Sequence, residues 1–107
     1  SMEAALQNLA GMTASKKVAI LGDMYELEDE AEREHRHLGE LLIGKGISTA
    51  YLCGPLISSA KSVFPQGKYF DSREELVEEL KRDPIVDSVI LIKASRGMAM
   101  EKIVDFI

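Results

Sequence analysis

Short apolar runs recur along this chain between stretches whose apolar residues repeat at helical spacing, and that alternation limits the possible folds more than any other feature. Met2, Ala5, Leu6 and Leu9 share one helical face before Gly11, which predicts a short helix over 2–10. Lys17 to Leu21 then reads as a strand buried on both faces, ended by Gly22-Asp23. Asp29 with Glu32 has capping-box spacing and predicts a helix that buries Leu38, Leu41 and Leu42 and stops at Gly44 and Gly46. Ala50 to Cys53 is the second strand, closed by Gly54-Pro55, and a helix near Leu56 to Val63 follows. Lys68 to Phe70 is a very short third strand. Asp71 with Glu74 spells another capping box, for a helix that buries Leu76, Val77 and Leu80. Pro84 breaks the chain, Ser88 to Ile92 is the fourth and most apolar strand, and Met98 to Ile107 has a last helical period.

Strands and helices in regular alternation imply right-handed crossovers and a mainly parallel sheet with helices on both faces. The expected class is therefore α/β, a three-layer Rossmann-like sandwich with strand order 3-2-1-4. The 107 residues suit a single core, and no repeat, linker or low-complexity run divides them. In this order the reversal of direction falls between the first and fourth strands. The loops Gly22–Glu28 and Lys93–Gly97 then lie side by side at the switch point, where ligands of open α/β sheets bind.

Charge and composition exclude several partners. Thirteen basic against eighteen acidic residues give a net charge of -5, and no basic stripe could track a phosphate backbone, so nucleic acid is not an expected partner. The longest apolar runs fall far short of the roughly 20 residues that cross a bilayer, and the start lacks the pattern of a signal peptide. A soluble, cytoplasmic chain without membrane insertion is expected. The one cysteine, Cys53, has no partner for a disulfide or a zinc cluster and sits where a buried strand takes a small hydrophobe.

The fourth-strand loop, Lys93-Ala94-Ser95-Arg96-Gly97, brings two cations, a hydroxyl and a flexible glycine to what reads as a helix N-terminus, an arrangement suited to a carboxylate or phosphate. The alternative on residue types alone is that Ser95 caps the helix while Lys93 and Arg96 pair with surface acids. Opposite, Asp23, Glu26 and Glu28 offer acceptors for an amine, a sugar hydroxyl or a metal-bound water, and Asp23 is fixed by its place at the strand end. Gly22, Met24 and Gly97 support the two loops. His35 either faces the crevice or packs within its helix. With His37 it cannot make an i, i+4 metal pair, and no ligand spacing for a metal is present. No serine or Cys53 has evident His and Asp partners, and no phosphate-gripping G-x-x-x-x-G-K-[ST] loop exists. Catalytic residues are not expected within this chain alone.

Val18-Ala19-Ile20-Leu21-Gly22-Asp23-Met24-Tyr25-Glu26-Leu27, followed by His35 and Leu38-Gly39, closely resembles the L-G-D-M-x-E-L-G…H-x-x-[VL]-G signature of the MurF type of Mur ligase. Lys93-Ala94-Ser95-Arg96-Gly97-Met98 with Glu101 resembles the second C-terminal signature of that family, K-G-S-R-x-M-x-x-E. Ser1 to Leu6 is similar to the helix after the family's N-P-x-S-M segment, although Ser1-Met2 is equally readable as a tag scar. Glu28 and Ala94 depart from the pattern, each standing where the family usually has glycine.

The resemblance implies that residues 1–107 are the C-terminal domain of an ATP-dependent, amide-forming ligase whose N-terminal and central ATP-binding domains are not in this sequence. Such ligases activate the carboxylate of UDP-N-acetylmuramoyl-tripeptide as an acyl phosphate, which the amine of D-alanyl-D-alanine attacks, in the synthesis of peptidoglycan precursors. ATP and Mg²⁺ would be held mainly by the central domain. This domain would swing over it with Lys93, Ser95 and Arg96 on the dipeptide carboxylate or a phosphate, and Asp23 and Glu26 toward its ammonium or ATP. Alone, it is expected to show no ligase turnover. Two rival readings are a receiver-like signalling module and a general nucleotide-binding Rossmann-type domain. The first lacks an adjacent acidic pair after the first strand, and the second lacks G-x-G-x-x-G.

Overall fold

The computed structural model describes residues 1–107. Helix α1 (Met2–Gly11) leads to strand β1 (Lys17–Gly22), helix α2 (Ala31–Gly44) and strand β2 (Thr49–Cys53). After a 3-10 segment (Ile57–Ser62) come strand β3 (Lys68–Phe70), helix α3 (Arg73–Arg82) and strand β4 (Val89–Lys93). The chain ends in two 3-10 segments, Arg96–Met98 and Met100–Phe106. All pairings are parallel and the order is β3-β2-β1-β4, the arrangement that alternation implied.

Alternation along the central strands builds a core on each face of the sheet. Ala19, Leu21 and Leu52 meet Leu6, Leu9, Leu38, Leu42 and Phe64 from α1, α2 and the connection after β2. Val18, Ile20, Tyr51 and Cys53 meet Leu76 and Leu80 of α3 and Met100 and Ile103 of the C-terminal segment. Each fully buried leucine or isoleucine contributes about 1.5–3 kcal/mol, so β1, covered on both faces, is the main apolar anchor of the sheet. Strand β4 is as apolar as β1 but half-buried along its whole length, because it forms the sheet edge. Cys53 lies fully inside this core, where burial, with the nearby Asp23 carboxylate adding to it, pushes its thiol up to about 11.

Three local expectations are corrected. Asp29 does not cap α2: it lies inside a 3-10 turn, Glu28–Glu30, that runs straight into the helix, whereas a capping residue must be extended. The second capping box is one residue later than expected. Ser72 is extended and its Oγ accepts from the Glu75 N–H at 3.2 Å, while Glu75 Oε2 accepts from the Asp71 N–H at 2.9 Å. The segments after Leu56 and after Ser95 are 3-10 rather than α, and the latter is interrupted at Ala99, which adopts φ 50° and ψ 44°. Around that break the Arg73 guanidinium donates toward the carbonyls of Met98 and Ala99, at 3.1 and 3.3 Å, and the Ala99 carbonyl also accepts the 3-10 bond from the Lys102 N–H at 3.1 Å.

Candidate functional site

Register places the two signature loops in contact. Leu21 pairs with Lys93, so Gly22 and Ala94 are the next residues out of the sheet. A Cβ on Gly22 would lie 2.6 Å from Ala94 Cβ and 3.2 Å from Met98 Cε, so only glycine allows the strands to end this close together. Ala94 therefore fits in place of the family's glycine because the space it needs is left by Gly22.

Beyond that point the loops are stitched together. Asp23 donates its N–H to Cys53 O at 3.2 Å and accepts at its carbonyl from the Ser95 N–H at 3.1 Å. Its side chain is 1% exposed, and Oδ1 accepts from the Ile57 N–H at 2.8 Å. One residue thus ties the ends of β1, β2 and β4 together. Met24 donates its N–H to His35 Nε2 at 3.0 Å, while His35 Nδ1 lies 2.7 Å from Ala31 O. Those two bonds require the neutral tautomer with the proton on Nδ1. The packing alternative for His35 is the one that the structure shows: it is fully buried and pins the first loop to α2. The Tyr25 N–H donates to Ser95 Oγ at 2.8 Å, and the Tyr25 hydroxyl lies 3.0 Å from Met98 Sδ. The tyrosine ring covers Gly97, where a Cβ would lie 2.7 Å from the ring. Ser95 makes no side-chain cap to the turn that follows it.

What remains free is charge. Lys93 and Arg96 take part in none of the ion pairs of the molecule, so the alternative that they pair with surface acids does not hold. With Ser95, Glu101, Met100 and Val104 they line a concavity of about 390 Å³ at the C-terminal end of β4. Its walls combine two cations, a hydroxyl, the Glu101 carboxylate and an apolar floor, which suits a small ligand that carries a carboxylate or phosphate beside an amine or hydroxyl. The expected anion site at a helix N-terminus is altered, since the turn there spans only Arg96–Met98 and offers no helix dipole to speak of. Glu26 and Glu28 are exposed, at φ 64° and 50°. Glu28 thus keeps the left-handed conformation that favours the glycine usual there in the resembled signature.

Arg73 is the residue that sequence reasoning missed. It opens α3 and reaches 25 and 26 positions along the chain to the carbonyls of Met98 and Ala99. No spacing rule encodes a contact of that range.

Residues 1–96 match the family described as Mur ligase, glutamate ligase domain. UDP-N-acetylmuramoyl-tripeptide–D-alanyl-D-alanine ligase of Rickettsia prowazekii is 34% identical across 99% of this chain and 24% of its own length. A crystal structure of MurF from Acinetobacter baumannii is similar with a TM-score of 0.82 and 29% identity, over 97% of this chain and 24% of that one. MurF ligase of Thermotoga maritima, crystallised with ADP, shares the fold with a TM-score of 0.76 at 24% identity, over 98% of this chain and 24% of that one. The chain accordingly spans about a quarter of the length of the relatives it matches. With both signatures joined in one structure and a family match over residues 1–96, the chain belongs to the Mur ligase family and carries its glutamate ligase domain.

Proposed function

We propose that this chain serves as the C-terminal domain of an ATP-dependent ligase that adds D-alanyl-D-alanine to UDP-N-acetylmuramoyl-tripeptide in the cytoplasm. The relatives named for that reaction support the substrates, and the ADP complex of the Thermotoga ligase supports the nucleotide. The observation that carries the reading is the pair of unpartnered cations, Lys93 and Arg96, on one concavity with Ser95. In this reading they hold the dipeptide carboxylate, and Arg96 supplies the fork that matches two carboxylate oxygens. The exposed Glu26 is a carboxylate available to the dipeptide ammonium or to the nucleotide. Asp23 contributes through the loop that it holds, because its side chain is buried against Ile57.

The chemistry follows from the substrates. A tripeptide carboxylate oxygen takes the γ-phosphoryl group of ATP and ADP leaves. The dipeptide amine then attacks the acyl carbon, loses a proton and expels phosphate. The role of this domain is to bring the amine into line and exclude water that would hydrolyse the acyl phosphate. No group of three or more His, Cys, Asp or Glu side chains converges here to hold a metal ion. In this reading Mg²⁺ and most nucleotide contacts come from the central domain. No helix is long and apolar enough to cross a membrane.

The test is an NMR titration of the 107-residue chain with D-alanyl-D-alanine and, separately, ATP-Mg²⁺. Shifts with the dipeptide that concentrate at Lys93–Met98 and vanish in Arg96→Ala are expected. Shifts spread elsewhere on the surface, or unaltered by that substitution, would contradict the assignment.

A further inference from the structure

We propose that Arg73 is a positioning residue for the loop that carries Arg96, acting through Ala99. The proposal rests on the reading of Lys93, Ser95 and Arg96 as the dipeptide site. Ala99 has a Cβ, yet sits in the left-handed region at φ 50° and ψ 44°, a conformation that costs of order 1–3 kcal/mol and persists only where neighbours enforce it. The two peptide groups that flank Ala99 carry the carbonyls of Met98 and Ala99, and Arg73 Nη1 donates toward both, at 3.1 and 3.3 Å. One guanidinium nitrogen therefore fixes both peptide planes of the strained residue.

Arg73 is suited to this task. It is the first residue of α3, directly after the Ser72 cap, so its backbone is set by the helix start. Its side chain is 25% exposed, and Nη2 lies 3.6 Å from Glu74, a carboxylate that is itself largely in solvent. The charge is shielded on one side and steadied on the other. From Ala99 the constraint passes to the site. The Ala99 N–H donates to Arg96 O at 2.9 Å, and the Met98 N–H donates to Ser95 O at 2.9 Å. Tyr25 holds the same turn from the opposite side, over Gly97 and against Met98. Arg73 and Tyr25 thus grip the Arg96–Ala99 turn between them, and the Arg96 backbone has one orientation when both are in place.

The experiment compares the unsubstituted chain with Arg73→Met and Arg73→Lys by amide hydrogen exchange and by titration with D-alanyl-D-alanine. In Arg73→Met, exchange at Met98 and Ala99 is expected to rise on the order of tenfold while Ile20 and Leu52 in the sheet hold steady. Dipeptide affinity is expected to fall by about tenfold, which corresponds to losing the pre-set geometry rather than a contact. Arg73→Lys, which keeps a donor within reach of the carbonyls, should recover part of both. Unchanged exchange at Met98 and Ala99, or an equal rise throughout the sheet, would overturn the proposal. So would a loosened turn with undiminished affinity. If the unsubstituted chain binds no dipeptide, the reading of the site fails, and the exchange comparison alone decides whether Arg73 orders the turn.

Discussion

The loop after β1 and the loop after β4 meet at one edge of the sheet, and their side chains divide the labour unequally. In the first, three motif residues are tied to the fold: Asp23 Oδ1 accepts from the Ile57 N–H, the Met24 backbone N–H donates to the buried His35, and the Tyr25 ring lies across Gly97. In the second, Ser95 receives the Tyr25 N–H, but Lys93 and Arg96 remain without ion-pair partners above a concavity. A sequence signature therefore mixes two kinds of residue. The first loop is a brace, and the second is the part of the brace that presents charge.

The contrast can be broken or sharpened by substitution. His35→Ala should have the largest effect, a loss of about 3 kcal/mol, because it leaves a cavity in a buried site and strips the Met24 N–H of its acceptor. Chemical denaturation measures the loss, and exchange at the Met24 amide should accelerate with it. Gly22→Ala should lose about 2 kcal/mol through the clash with Ala94, and adding Ala94→Gly should restore most of it. A double-mutant cycle that is additive would show that the two positions do not share one space. Glu28→Gly acts in the opposite direction: removing a Cβ from φ 50° should stabilise the chain by about 1 kcal/mol, visible as a higher Tm.

How much of this was legible follows from the range of the interactions. Strand order and the meeting of the two loops came from alternation and handedness, which are properties of neighbouring segments, and both hold. The glycine expected at position 28 was legible from the signature, and φ 50° supplies its reason. What sequence did not reveal depends on partners far along the chain. The burial of Asp23 rests on Ile57, 34 positions away, and the acceptor role of Ser95 rests on Tyr25, 70 positions away. The break of the last segment at Ala99 goes with Arg73, which donates toward the carbonyls of Met98 and Ala99. Local period made Met98 to Ile107 look helical, and it is, but wound more tightly and broken at Ala99.

The division of labour is tested most directly by equilibrium urea unfolding of Asp23→Ala beside Arg96→Ala. Asp23→Ala should lose about 2 kcal/mol, because the Ile57 N–H is left buried without an acceptor. Arg96→Ala should stay within about 0.5 kcal/mol of the unsubstituted chain, as expected for an exposed side chain with no partner to lose. Equal losses, or a larger loss at Arg96, would contradict the account, since the brace and the charge it presents would then be one and the same.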